Sequence, residues 1–322
     1  MENNYVRLAR RIPVPDAVPA VSVNPVTLPA PGRGLPLELR VTAPLRGDAL
    51  PIVLLSHGGG SSHYLKSKDG YAPLTDFYAS HGFAVLQPTH LSSPSGGLGL
   101  DEAAPGHPLF RRSRIDDFVL ILDHLAAIEA QAPVVAGRLD PARVAAVGHS
   151  AGGNTVSALL GARAGVDLRD ARIKAGVLLA SPGSAEGMTE TMRTRYPELE
   201  TDFSHLATRT LVVYGDEDDN PVATTRGSGW HAEPYHLSPG ADALLVLPGA
   251  KHYLGGVMGY SLAETDDEDP ERLAVTQRMT WAYLWSALHD GHPAWQRATE
   301  AIRAAPSLGR VRTKDRRRTG QP

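Results

Sequence analysis

The chain has no cysteine, so disulfides, thiolate nucleophiles and cysteine-based zinc sites are excluded. Long apolar runs are missing too, and no stretch approaches the roughly 20 residues that a membrane-spanning helix needs. Neither sign of charge is in excess: 32 basic and 35 acidic side chains leave a formal charge of -3, which argues against nucleic acid or an anionic membrane as the main partner. Met1 to Arg7 lack the basic and then apolar segments of a secretory signal, so a cytoplasmic location is expected. Apolar residues at 42% and charged residues at 21% are ordinary for a globular protein, and 322 residues suit a single α/β unit.

Prolines at 13, 15, 19, 25, 29 and 31 each remove a backbone donor and fix φ, which predicts an extended arm over residues 1–34. A catalytic domain is expected from 35 to 305, followed by a basic, disordered tail at 306–322. Within the domain, Leu37, Leu39 and Val41 alternate as in a half-buried strand, and the apolar run Pro51 to Ser56 reads as a strand covered on both faces. A helix then strand follows at 73–81 and 83–87, and again at 115–128 and 143–147. A helix at 153–162 leads to strands at 173–180, 210–214 and 243–247, and a last helix is expected from 270 to 289. This alternation predicts a mostly parallel sheet with crossover helices on both faces.

Gly148-His149-Ser150-Ala151-Gly152 stands between a predicted strand and a predicted helix. A serine on that turn is held in a strained backbone, needs glycines on either side to avoid clashes, and projects its hydroxyl above the sheet edge beside a helix N-terminus. His57-Gly58-Gly59-Gly60 follows an earlier strand, where small residues let backbone amides approach an oxyanion. The donors expected are the N–H of Gly59 or its neighbour and that of Ala151. Later, the strand ending at Gly215 opens into Asp216, Glu217, Asp218 and Asp219, and the strand ending near Leu247 leads to His252. Ser150 as nucleophile, His252 as general base and an acid from 216–219 thus occur in the chain order Ser, Asp, His.

On Pro51 to Ser61, Ala145 to Asn154, Leu211 to Pro221 and Leu245 to His252, the chain resembles the α/β-hydrolases, nearest to the dienelactone-hydrolase, platelet-activating-factor acetylhydrolase and chlorophyllase-like esterases. The resemblance implies an α/β-hydrolase fold and hydrolysis of a small-molecule carboxylic ester through an acyl-enzyme. It also implies the acid's position, because such chains place it three residues after the strand-terminal glycine, which is Asp218. The same apparatus would serve a thioesterase, amidase or acyltransferase, and a silent binding protein on this fold is the reading from another class. No long insertion lies between Ser181 and Thr210, so a small lid or none is expected.

His149 would point away from Ser150 and serve packing or the rim of the site; with Trp230 and Tyr253 it is a candidate substrate contact. His57 is expected to be structural. His231 and His236 lack metal-binding spacing, so neither a metal nor any other cofactor is expected.

Overall fold

The structure, a computed structural model, describes residues 4–59, 65–259 and 266–314. Its frame is a nine-stranded sheet in the order β1-β2-β4-β3-β5-β6-β7-β8-β9. The strands are β1 Ala20–Leu28, β2 Leu37–Pro44, β3 Leu50–Ser56, β4 Ala84–Pro88, β5 Leu139–His149, β6 Ile173–Leu179, β7 Arg209–Gly215, β8 Ala241–Leu247 and β9 Arg310–Thr313. From β4 to β8 every pairing is parallel, while β2 runs antiparallel to both β1 and β4 and β9 antiparallel to β8. Parallel strands need crossovers, and the helices that supply them cover both faces.

Period-two alternation assigns side chains to those faces. Val53, Leu55, Val147, Val177, Leu179, Val213 and Leu245 pack with α1 (Ala72–Ser80), α7 (Pro270–Leu288) and α8 (Ala294–Arg303). Ile52, Leu54, Val144, Ala146, Leu178, Val212 and Leu244 pack with α2 (Arg111–Asp123), α3 (Leu125–Gln131) and α4 (Ala151–Leu159). Two short helices, α5 (Glu190–Arg195) and α6 (Glu233–Leu237), complete the α-helices among the described residues. The helix expected over 115–128 is divided at His124, whose φ of -122° leaves the helical region. Among the described residues no helix is long and apolar enough to cross a membrane.

Both chain ends differ from expectation. Residues 1–34 are not merely an extended arm, because Ala20–Leu28 forms the outermost strand. Pro25, the one proline inside it, sits at the register shift between Val23 and Val26 on an edge strand, where a missing donor does least harm. The 306–322 tail is likewise not all disordered: Arg310–Thr313 closes the edge of β8, and Arg310 ion-pairs with Asp216 at 2.8 Å. The rest of that tail, 315–322, lies outside the described residues. Unpaired backbone on a buried edge strand is costly, so the β8 edge recruits a short segment whose composition reads as disordered.

Helix α7 starts where Asp269 accepts hydrogen bonds from Glu271 N (2.9 Å) and Arg272 N (3.0 Å), ahead of Pro270 at the first helical position. Asp269→Ala is expected to cost about 1 kcal/mol and Asp269→Asn a fraction of that. Urea unfolding reads the difference; equal midpoints for the wild type and the alanine variant would show that the cap contributes nothing.

Candidate active site

Parallel strands end on one edge, and that edge collects the candidate residues: β3 runs into Gly58 and Gly59, β5 into Ser150, β7 into Asp218, and β8 into His252. Ser150 takes φ 55° and ψ -123°, a conformation that costs a non-glycine residue of order 1–3 kcal/mol. Two close approaches impose it. A Cβ on Gly148 would lie 2.1 Å from the carbonyl oxygen of Gly152, and one on Gly152 would lie 2.2 Å from that of Ser56. Nothing larger than hydrogen fits at either position, so the turn keeps its tightness and Ser150 faces out of the sheet.

His252 Nε2 lies 2.9 Å from Ser150 Oγ, and its Nδ1 lies 2.9 Å and 3.2 Å from the two carboxylate oxygens of Asp218. Asp218 is 4% exposed. Burial pushes its pKa up, but the hydrogen bond and charge of His252 outweigh burial and leave it below the ordinary carboxylate value. An ionised Asp218 holds a proton on Nδ1, which leaves Nε2 bare toward Ser150. Of the other carboxylates in that run, Glu217 and Asp219 are exposed, and Asp216 accepts from Gly249 N (2.7 Å) and from Arg310. Asp216 braces the turn between two strands and does not touch His252.

A cavity of about 530 Å³ opens beside Ser150, Ala151 and Gly59, with Leu109, Met192, Leu199, Val222 and Ala223 as an apolar wall and Glu102, His107, Arg195 and Asn220 as polar lining. Larger cavities elsewhere, of about 640 and 730 Å³, include none of Ser150, Asp218 and His252. Gly59 and Ala151 stand side by side, since a Cβ on Gly59 would lie 3.6 Å from that of Ala151. As the first residue of α4, Ala151 has no intrahelical acceptor for its N–H. Gly60, the last glycine of the run, lies outside the described residues.

His149, Trp230 and Tyr253, the candidate substrate contacts, do not line this cavity. His149 is 2% exposed and no part of the cavity wall: its Nδ1 is 2.7 Å from Tyr71 Oη and its Nε2 2.8 Å from the carbonyl of His252. Trp230 is buried behind the apolar wall, donating to Ser184 O at 3.0 Å. Tyr253 packs beside His252 and lines a separate cavity with Pro73 and Met258. A residue next to a site residue in sequence need not share its cavity, because successive side chains point to opposite sides.

His231, which lacks metal-binding spacing in the sequence, lies against the acid. Its Nδ1 pairs with Ser181 O at 2.8 Å, and its Nε2 is 3.2 Å from Asp218 Oδ2 without hydrogen-bond alignment. Burial lowers its pKa against the pull of Asp218. Asp218, His231 and His252 also form a set whose ligand atoms lie within 4.8 Å of one another and could hold a metal ion. A metal there would take the atoms that link Asp218 to His252, so the two uses exclude each other. His236 lies on α6, away from this group.

A second Ser, His and Asp array lies deeper. His90 Nε2 is 3.1 Å from Ser56 Oγ and its Nδ1 2.7 Å from Asp117. Arg33 Nε donates to Asp117 at 2.7 Å, and Arg114 donates to Ser56 Oγ (3.2 Å), His57 O (2.9 Å) and Gly58 O (3.1 Å). Ser56 and His90 are wholly buried, and Asp117 and Arg114 nearly so. Burial raises Asp117 to about 6 despite its cationic neighbours, and burial also lowers Arg114 to about 10. Ser56 has the bonding of a nucleophile but, among the described residues, is wholly buried and lines none of the four cavities; the array anchors the loop that carries Gly59. Arg114 has a sequence signal that is visible once the helix is known: it shares a helical face with Phe118 and Ile121. Tyr71 and His231 have none.

Residues 52–308 match the model of the alpha/beta hydrolase family. No curated protein matches the chain. Asp218→Asn is expected to keep the fold and lower the rate of any reaction that uses His252 by roughly two or more powers of ten, while Asp216→Asn costs under about tenfold. Rate measurements on both purified variants, with circular dichroism as the folding control, decide it; a larger loss at Asp216 would transfer the role there.

Proposed function

The chain belongs to the alpha/beta hydrolase family, and from that premise we propose that it is a serine hydrolase that cleaves carboxylic esters through an acyl-enzyme on Ser150. One observation carries the proposal: the unbroken chain from Asp218 through His252 to Ser150 Oγ, set on a strained turn at the mouth of a cavity. The resemblance to dienelactone-hydrolase and chlorophyllase-like esterases supports the same chemistry.

In this reading His252 Nε2 takes the hydroxyl proton as Ser150 Oγ attacks the ester carbonyl. The N–H groups of Gly59 and Ala151 receive the oxyanion, helped by the positive end of α4. Collapse expels the alkoxide, which takes the proton from His252 and leaves as the alcohol. A water then attacks the acyl-enzyme, gives its proton to His252, and releases the acid as the proton returns to Ser150. Asp218 keeps the tautomer and stabilises the imidazolium. No step calls on a cofactor. The apolar wall suits a small or medium ester with a hydrocarbon acyl or alcohol part.

Ser150→Ala is expected to lower kcat for p-nitrophenyl esters by on the order of a million-fold while circular dichroism stays unchanged. Activity within tenfold of the wild type would remove Ser150 from the mechanism. Phenylmethylsulfonyl fluoride should modify the peptide that contains Ser150, and mass spectrometry that found the label on Ser56 would make the deeper array the reactive one. A series of p-nitrophenyl esters, run beside thioester and amide analogues, should show preference for esters of short to medium acyl length. EDTA should leave the rate unchanged; loss of activity restored by zinc would assign Asp218, His231 and His252 to a metal.

A further inference from the structure

A line of hydrogen bonds runs beneath the cavity from the loop of Gly59 to the loop of His252. Gly58 N–H donates to Tyr71 Oη at 2.8 Å, Tyr71 Oη lies 2.7 Å from His149 Nδ1, and His149 Nε2 lies 2.8 Å from the carbonyl oxygen of His252. Its two ends orient the protons between them. A carbonyl only accepts, so His149 Nε2 carries the ring hydrogen; Nδ1 of the neutral ring is then bare and accepts from the Tyr71 hydroxyl, whose oxygen accepts from Gly58. Burial pushes the Tyr71 pKa well above the ordinary tyrosine value, so the hydroxyl keeps its proton and can remain a donor.

Two further features show how tightly this line is held. Tyr71 adopts φ 60° and ψ 21°, a left-handed conformation that a bulky residue rarely takes and that its surroundings must impose. A Cβ on Gly58 would lie 3.2 Å from both Tyr71 Oη and His149 Nδ1 and 3.3 Å from Ser150 Cβ. His149 is moreover the last residue of β5, joined by a peptide bond to Ser150. The line therefore couples three loops at one buried residue.

We propose that Tyr71 and His149 are positioning residues for this reaction, holding the Gly58-Gly59 backbone and the backbone of His252 at a fixed separation on either side of Ser150. The proposal rests on the reading of Ser150 as the nucleophile. Neither side chain touches the substrate; each acts through the backbone it holds, so its loss displaces the oxyanion donors and the base from the reacting carbonyl.

The test compares the wild type with Tyr71→Phe, His149→Ala, His149→Gln, the double variant Tyr71→Phe/His149→Ala, and Ser150→Ala, all as the full chain on one p-nitrophenyl ester with thermal melts alongside. Tyr71→Phe keeps the ring and removes both bonds, and it is expected to lower kcat about 10- to 100-fold with KM within about threefold, as misplacement of reacting groups does. His149→Gln, which can still donate to the carbonyl of His252, should lose less than His149→Ala. The double variant should lose no more than the worse single one, because both substitutions break the same line. Single variants within threefold of the wild type, losses that multiply in the double variant, or a change confined to KM would each overturn the proposal. If Tyr71→Phe does not fold, the two His149 variants decide, and equal kcat in the glutamine and alanine variants overturns it. An active Ser150→Ala would instead overturn the reading of the nucleophile, which keeps the two failures apart.

Discussion

The turn after β5 brings backbones closer together than any side chain allows, and the rest of the site depends on that approach. Gly152 passes under the carbonyl of Ser56 at the end of β3, Gly148 packs on Gly152, and Ser150 N–H donates to Leu179 O at the end of β6, at 2.8 Å. The turn is thus pinned to both neighbouring strands at once. Its strain is sustained by the core on the two faces of the sheet, which gains nothing from letting the strands separate. Ser150 is exposed to the cavity because its backbone has no other conformation available.

Two Ser, His and Asp arrays stand in one molecule, and their surroundings differ. Ser150 and Ser56 each lie within 3.1 Å of a histidine nitrogen, and each histidine is paired with a carboxylate. Ser56 is wholly buried among the described residues, and Arg114 donates to its Oγ. Around Ser150 one side opens to a cavity that Gly59 and Ala151 also line. The deeper array does different work. Its guanidinium groups and carboxylate would be costly to bury singly, but together they offset each other's desolvation and hold the carbonyls of His57 and Gly58 in place.

The parallel strands and the turn that carries Ser150 were legible because their signals are local. Strand after helix after strand is written in short apolar runs, and Gly148, Ser150 and Gly152 state their own geometry. The ends of the chain were not legible, because β1 and β9 are strands only by virtue of the edges they cover, and proline and arginine content says nothing of a neighbour's unpaired backbone. For His149, Trp230 and Tyr253, closeness in sequence to the site or an aromatic ring carries no position: none of them lines the cavity beside Ser150, His149 is hydrogen-bonded beneath it, and Tyr253 lines another.

By itself the sequence determined the class of fold, the turn that carries Ser150, and the order in which a serine, an acid and a histidine appear. Each of these follows from residue types within a few positions of one another, or from the periodicity of a single element. Only the tertiary structure decided that Asp218 and not Asp216 meets His252, that His231 stands behind the acid, and that Tyr71 and His149 join one loop to the other. Those contacts link residues far apart in the chain, and they form only when parallel packing delivers the strand ends to the same edge of the sheet.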